Sequence, residues 1–234
     1  MSPEGATSWP TLSLAERRVL GVMVEKAKTT PDVYPMSVNA LLTGANQKSN
    51  RDPVMNLSEE NVEDTLASLQ PRGYVTRIQG GRVERWRHNL YDVWNVNKVE
   101  LAILAELLLR GPQTEGELRQ RASRMESIDD LDSLRAALKP LAQRKLVLFL
   151  GAEGRRGTLI THGFHAPTEL QTLHSQPRGE EPIHVPTATA WATAEQVAKL
   201  EQDIAALRTQ VHQLQEALDR GLEEMRRLKE SLGG

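Results

Sequence analysis

The sequence contains no cysteine, which excludes disulfide bonds, cysteine-ligated zinc, iron–sulfur clusters and thiol catalysis. It also lacks an excess of either charge, because 29 lysines and arginines against 31 aspartates and glutamates give a formal net charge of −2. A protein that coats nucleic acid through bulk positive charge is therefore excluded. At 39% apolar residues, the chain is too apolar to be wholly disordered.

Long apolar runs are absent as well. No stretch approaches the roughly 18 uninterrupted apolar residues of a membrane-spanning helix. Residues 1–10 have neither the basic nor the apolar region of a signal peptide. We therefore expect a cytoplasmic protein without a membrane segment. Its 234 residues suffice for two small domains and an appendage.

Helix-start motifs recur along the chain. In a capping box, a first side chain accepts a hydrogen bond from a free backbone N–H, and an acid or amide three residues later bonds back. Ser58, followed by two glutamates, is a weaker start of the same kind. Four pairs have the capping-box spacing: Ser13 with Glu16, Asn97 with Glu100, Thr114 with Glu117, and Thr193 with Gln196. Because apolar residues follow these starts at helical spacing, the sequence predicts a mainly helical fold.

Two stretches depart from the helical period and predict β-hairpins. Residues 74–78 and 83–88 flank the turn sequence Gln79-Gly80-Gly81-Arg82. Residues 146–150 and 158–162 flank a longer, more basic loop at 151–157. Each hairpin directly follows the third of three predicted helices.

The two sets of elements can be superimposed as an internal repeat. Glu16 corresponds to Glu100 near the start of each set. Residues Leu66, Leu69, Arg72 and Val75 each have a counterpart 72 positions later, at Leu138, Leu141, Arg144 and Val147. Each copy is predicted to contain three helices followed by two strands. This order is that of a helix-turn-helix core closed by a β-hairpin wing. We therefore predict a mainly α protein with small β-hairpins that contains two tandem winged-helix domains.

The predicted domain boundaries follow from this repeat and from composition. Residues 1–11 are a flexible N-terminus, 12–92 the first winged-helix domain and 93–175 the second. The segment 176–192 is a linker, because it contains Pro177, Pro182 and Pro186 and has no periodicity. Residues 193–234 form a coiled-coil helix.

The coiled coil is predicted from apolar residues that alternate in steps of three and four. Branched residues at a positions and leucines at d positions favour a parallel two-stranded coil, and therefore a homodimer. The alternative is a single helix folded back on its own domain. The predicted contact residues are Val197, Leu200, Ile204, Leu207, Val211, Leu214, Leu218, Met225 and Leu228.

Several motifs resemble the YceH family of bacterial proteins. They include the run from Leu14 to Gly21, the polar run from Asn46 to Ser58, and the run from Leu107 to Thr114 in the second copy. The similarity extends over roughly residues 12 to 173. It implies tandem winged-helix domains and no established activity. Pro140 falls inside the third helix of the second copy, where a proline is expected to kink or end a helix.

No catalytic constellation is present, so we expect neither an enzyme nor a bound cofactor or metal. The six histidines are scattered, and only His162 and His165 are close in sequence. Two imidazoles without a third ligand make a weak metal site. Phosphate-binding loops and dinucleotide fingerprints are also missing.

The wings, rather than the third helices, carry the features of nucleic-acid binding. Both third helices begin with acidic residues, which phosphates would repel. The hairpins are basic, and the polar insert before the first unit's third helix offers donors to phosphates and base edges. The candidate duplex-DNA contacts are Asn46, Gln47, Lys48, Asn50, Arg51, Arg77, Arg82, Arg85, Arg155 and Arg156.

Two alternatives stay open. First, the candidate residues have purely structural roles: Arg51 pairs with Asp52, the amides hold a long loop in place, and Trp86 and Trp94 belong to cores. Second, the protein is an interaction scaffold or adaptor whose acidic helices bind protein partners. The salt dependence of duplex-DNA binding distinguishes a DNA-binding protein from a scaffold that binds protein partners.

Leu207→Asp tests the predicted coiled coil. A charged residue at a d position removes an apolar contact from the seam and places a carboxylate there. We expect light scattering to show a dimer for the wild-type chain and a monomer for the variant. A wild-type chain that is already monomeric at micromolar concentration would rule out this assembly.

Overall fold

The first unit contains three helices followed by an antiparallel hairpin. The computed structural model describes residues 9–79, 83–155 and 157–175. Its first elements are α1 (Leu14–Thr29), a short 3₁₀ helix (Pro31–Val33), α2 (Val38–Ala45), α3 (Glu59–Leu69), β1 (Val75–Ile78) and β2 (Arg85–His88). A short helix, α4 (Leu90–Trp94), leads into the second unit.

The second unit repeats this order. It contains α5 (Lys98–Arg110), β3 (Gln113–Thr114), α6 (Glu115–Ala122), α7 (Leu131–Gln143), β4 (Val147–Phe149) and β5 (Leu159–His162), with α8 (Pro167–Ser175) after them. The predicted fold class and both hairpins are confirmed, with strands one or two residues shorter than expected. Pro140 lies within α7, which nevertheless continues to Gln143.

Side-chain caps explain where the helices begin. Capping boxes are present at Ser13, Asn97 and Thr114, as predicted. The weaker start at Ser58 also has one, with Asn61 rather than an acid bonding back to the cap. Each box satisfies backbone donors that would otherwise have no partner in the first turn.

The two sheets have matching plans. In the first, Arg77 pairs with Trp86 and Thr76 with Arg87, and an isolated bridge joins Met36 to Trp86. In the second, β5 lies between β3 and β4. Met36 and β3 each precede the second helix of their unit, so each hairpin pairs with the backbone at the same point in the repeat, through one bridge in the first unit and a two-residue strand in the second.

Ion pairs and backbone conformation repeat as well. Glu16, the third residue of its helix, pairs with Arg72 at 2.8 Å, and Glu100 in the second unit pairs with Arg144 at 3.5 Å. The residue after each of these arginines has positive φ: Gly73 at 76° and Lys145 at 57°. The repeat therefore extends to the contacts that hold each third helix against its first.

One apolar core runs through both units. Its buried residues include Leu20 and Met23 of α1 and Leu104 of α5, and the two helices pack along their lengths. At the crossing, a Cβ on Gly21 would lie 2.8 Å from Leu109 Cγ, so glycine permits this approach. Trp94, at the end of the connecting helix α4, stacks on Phe164 at 4.8 Å between ring centroids.

Some predicted features lie outside the described residues. These are the linker at 176–192, the coiled-coil helix at 193–234 with its contact residues, most of the N-terminal segment, and Arg82 and Arg156 of the hairpin loops. Within the described ranges, no helix combines the length and the apolar character that crossing a membrane requires.

A pair of glycine substitutions tests the α1–α5 crossing. Gly21→Ala adds a methyl group against Leu109 and should lower the free energy of unfolding. The overpacking should outweigh the roughly 1 kcal/mol by which alanine stabilises a helix interior relative to glycine. Gly116→Ala in α6 meets nothing within 4 Å and should raise the free energy of unfolding by up to about 1 kcal/mol. Urea unfolding measures both. Equal stabilisation by the two substitutions would contradict the close approach.

Candidate functional site

The outward face of the first hairpin carries two neighbouring cations. Arg85 and Arg87 alternate with buried Trp86 along β2, so both guanidinium groups are exposed on one face. Arg85 Nη1 donates to the Pro35 carbonyl at 2.7 Å, which fixes one end of its side chain. Arg87 forms no ion pair with any residue that the structure describes. We call Arg85 and Arg87 the wing pair.

The other basic residues of the hairpins are arranged less favourably. Arg77 forms an ion pair with Glu84, so much of its charge is compensated within the wing. Arg155 is exposed in the second hairpin loop, where its backbone N–H donates to the Ala152 carbonyl at 3.2 Å. Among the described residues, the first wing is therefore more basic than the second.

The amides of the polar insert hold the loop in place. Asn46 Nδ2 donates to the Leu57 carbonyl at 2.8 Å, and its Oδ1 accepts from the Leu57 N–H at 2.7 Å. Asn50 adopts a positive φ of 61° and accepts a hydrogen bond from Arg110. These contacts agree with the alternative in which the amides hold the loop in place rather than bind DNA. Lys48 is exposed and Gln47 half-buried.

Arg51 is not available to a ligand at the surface. Its side chain is fully buried, its Nη2 lies 2.5 Å from Glu25 Oε2, and its Nε donates to the Gly44 carbonyl at 3.0 Å. The candidate DNA contact at Arg51 is thus corrected to a structural ion pair. The partner is Glu25 of α1 rather than the adjacent Asp52, because the insert folds back over that helix.

The third helices present acids where a recognition helix would meet phosphates. Exposed Glu59, Glu60, Glu63 and Asp64 lie along α3. On α7, the exposed Arg135 is bound to Glu115 at 2.8 Å and to Asp132 at 3.3 Å. An acidic surface repels the phosphate backbone, so insertion of either helix into a groove is disfavoured.

The two neighbouring histidines are buried and stacked. The rings of His162 and His165 are 3.9 Å apart, and His165 Nδ1 lies 3.2 Å from Arg17 Nη1. Burial lowers the pKa of both imidazoles, and the nearby Arg17 charge lowers it further. Within the described part of the chain, no three His, Asp or Glu side chains form a group that could hold a metal.

A pocket between the units escaped the sequence analysis. Arg17 and Arg18 of α1 line it, together with Leu107 and Leu108 of α5 and residues of α8. Sequence reasoning assigned no role to the two arginines, because charged residues near the start of a helix are usually solvent-exposed. Their burial, at 6% and 1% exposed, was the missing information. Their position next to the apolar run that begins at Val19 is the one sequence feature that could have indicated their burial.

These features define a class of protein. Two helix-turn-helix units, each closed by a β-hairpin, share a single core and carry a basic face on the first hairpin. The family described as "Protein of unknown function, DUF480" matches residues 12–156. The chain belongs to this family.

Three relatives show the same relationship. The UPF0502 protein RB6530 of Rhodopirellula baltica is 49% identical over 168 residues, covering 71% of this chain and 70% of the relative. A UPF0502 protein of Citrifermentans bemidjiense is 42% identical over 199 residues, covering 83% and 89%. The UPF0502 protein azo0627 of Azoarcus sp. is 40% identical over 211 residues, covering 89% and 91%. The resemblance predicted from the sequence motifs is thereby confirmed.

A solved structure, subunit VPS25 of the endosomal trafficking complex ESCRT-II, aligns with 67% of this chain and 92% of its own at 17% identity. The TM-score of this alignment is 0.23, which is too low to support an argument.

Arg51→Ala tests the structural role of the insert's arginine. Removing the guanidinium leaves Glu25 without its partner in a largely buried position, and we expect the free energy of unfolding to fall by about 3 kcal/mol. Lys48→Ala, three residues away and exposed, is the matched control and should change it by less than about 0.5 kcal/mol. Denaturant unfolding measures both. An Arg51 variant as stable as the Lys48 variant would show that the ion pair contributes little.

Proposed function

We propose that this protein is a non-enzymatic DNA-binding regulator that contacts duplex DNA through the first wing. The observation that carries the proposal is the wing pair: two exposed arginines side by side on one strand, with Trp86 between them anchored in the core. A guanidinium group fixed on a rigid strand is well suited to phosphate oxygens.

The docking mode follows from where the charges lie. Acids on α3 oppose insertion of that helix into the major groove, whereas the wing pair attracts the backbone. Contacts to phosphates position a protein on DNA but carry little sequence information. We therefore propose a modest-affinity contact led by phosphates, with sequence preference secondary.

Other candidate residues supplement the wing. Lys48 and Gln47 retain side chains that a ligand can reach, and Arg155 offers an exposed cation on the second wing. Asn46 and Arg51 are excluded from the proposed contact set because their polar atoms are already committed to the loop and to Glu25. Arg82 and Arg156 belong to the same loops and remain in the proposed set on sequence grounds.

Dimerisation through residues 193–232 would complement such a weak contact. Two linked copies convert the second encounter with the same duplex into an intramolecular one, which raises its effective concentration. This part of the proposal rests on the heptad pattern alone.

The acidic face of α3 supports a second candidate function. Glu59, Glu60, Glu63 and Asp64 are exposed and form no ion pairs within the described ranges, so together they present a negative surface. Such a surface fits a basic protein partner, and the protein would then act as a scaffold or adaptor.

Duplex binding at two salt concentrations tests the DNA proposal. We expect binding at 50 mM salt that weakens steeply at 200 mM, because phosphate contacts release counterions. Arg85→Ala with Arg87→Ala should lower the affinity about tenfold or more and reduce the salt slope by about 2. The effect should be similar for unrelated duplex sequences.

The matched control removes the same charge elsewhere. Lys98→Ala with Arg124→Ala deletes two exposed cations of the second unit and should leave affinity and slope nearly unchanged. An equal loss in both double variants would indicate a non-specific charge effect and contradict a contact at the wing. Absence of binding to any duplex at 50 mM would remove the DNA proposal and leave the scaffold function.

A further inference from the structure

The pocket between the two units has a volume of about 330 Å³. It is lined by α1, by the insert at Asp52, Pro53 and Met55, by the end of α5, and by His162, His165 and α8. Cavities that hold small molecules in proteins begin at roughly this size and are mostly apolar with a few placed polar groups. Both units thus contribute walls to a site of ligand dimensions.

Arg18 is the unusual polar residue of this pocket. It is 1% exposed, and it donates to the carbonyls of Ala45 at 3.1 Å and Pro53 at 2.5 Å. Its Nε has no hydrogen-bond partner among the described residues. A guanidinium group has five N–H donors, so these contacts leave several donors unused. Burial lowers the pKa of Arg18 to about 10, and the group therefore remains cationic at neutral pH.

The other arginines of the pocket already have carboxylate partners. Arg17 Nη2 donates to both oxygens of Glu169 at 2.7 Å. Arg110 Nε lies 3.0 Å from Glu106 Oε1. Arg18 forms no ion pair with any residue that the structure describes. The carboxylates of Asp52 and Glu25 attract the Arg18 charge only from beyond ion-pair distance, and Arg51 opposes it. A ligand carboxylate in direct contact would compensate this buried charge more fully.

The rest of the pocket lining favours a ligand whose remaining part is apolar. Leu107 and Leu108 are buried on α5, whereas Leu14 at the N-terminus of α1 is 48% exposed despite its size. Met55 and Leu173 complete the apolar lining. Asp52 also lines the pocket and forms no ion pair with a described residue, so it would repel a second negative charge placed near it.

We propose that this pocket binds a small monocarboxylate with an apolar body, whose carboxylate pairs with the Arg18 guanidinium and whose body packs on the leucines of α1, α5 and α8. The site is distinct from the wing and does not depend on DNA binding. A failure of either proposal leaves the other standing.

Octanoate, with octanamide as its neutral isostere, tests the charge recognition. Calorimetric titration of the full chain should give at least tenfold tighter binding for octanoate, since a hydrogen-bonded charge pair adds a discrimination of that order. Arg18→Met keeps the stem, removes the charge, and should lower octanoate binding to the level of octanamide. Lys139→Met removes an exposed cation on α7 and should preserve the preference.

A second pair of variants tests the location without altering the buried arginine. Thr172→Trp fills the pocket from α8 and should abolish octanoate binding. Gln171→Trp places the same bulk on the neighbouring exposed position, outside the lining, and should not. Equal affinity for octanoate and octanamide, no binding of either, or octanoate binding that persists in Thr172→Trp would each overturn the proposal.

Discussion

The packing of α1 against α5 is the contact on which the rest of the structure depends. These are the first helices of the two units, and Gly21 allows α1 to approach the Leu109 side chain of α5 closely. Units of about 80 residues bury comparatively little surface alone, so sharing one core stabilises both. The contact also fixes the relative position of the two hairpins and creates the pocket between the units.

Duplication explains how one sequence pattern produces two similar folds. Each first helix places a glutamate where it both caps the helix and binds an arginine after the third helix: Glu16 with Arg72, and Glu100 with Arg144. The same arginines also donate to the backbone just before each first helix: Arg72 to the Thr11 carbonyl at 3.3 Å, and Arg144 to the carbonyls of Trp94 and Asn95 at 2.9 and 2.7 Å. The repeat therefore includes the contact that joins each of these arginines to the segment preceding the first helix of its set.

Charge is distributed unevenly although the total is nearly neutral. Several arginines are withdrawn into the interior, where Arg17 and Arg51 bind carboxylates and Arg18 binds carbonyls. The exposed cations that remain on the first unit include the wing pair, whereas α3 is acidic. Net charge alone therefore conceals that, in the described part of the first unit, the wing is basic and α3 is acidic, and the proposed DNA contact is placed on the wing for this reason.

The sequence by itself determined the elements, their order and the repeat, because capping boxes, apolar periodicity and turn residues act within a few neighbouring residues. It also placed basic residues on the wings, since alternation along a strand decides which side chains share a face. Tertiary structure alone decided which polar residues are free. Arg51 meets Glu25, 26 positions away, and Arg17 meets Glu169, 152 positions away. Pairings over such distances depend on how the helices cross, and local patterns do not encode them. The same crossing formed the pocket around Arg18, because its walls come from both units and exist only once these have packed together.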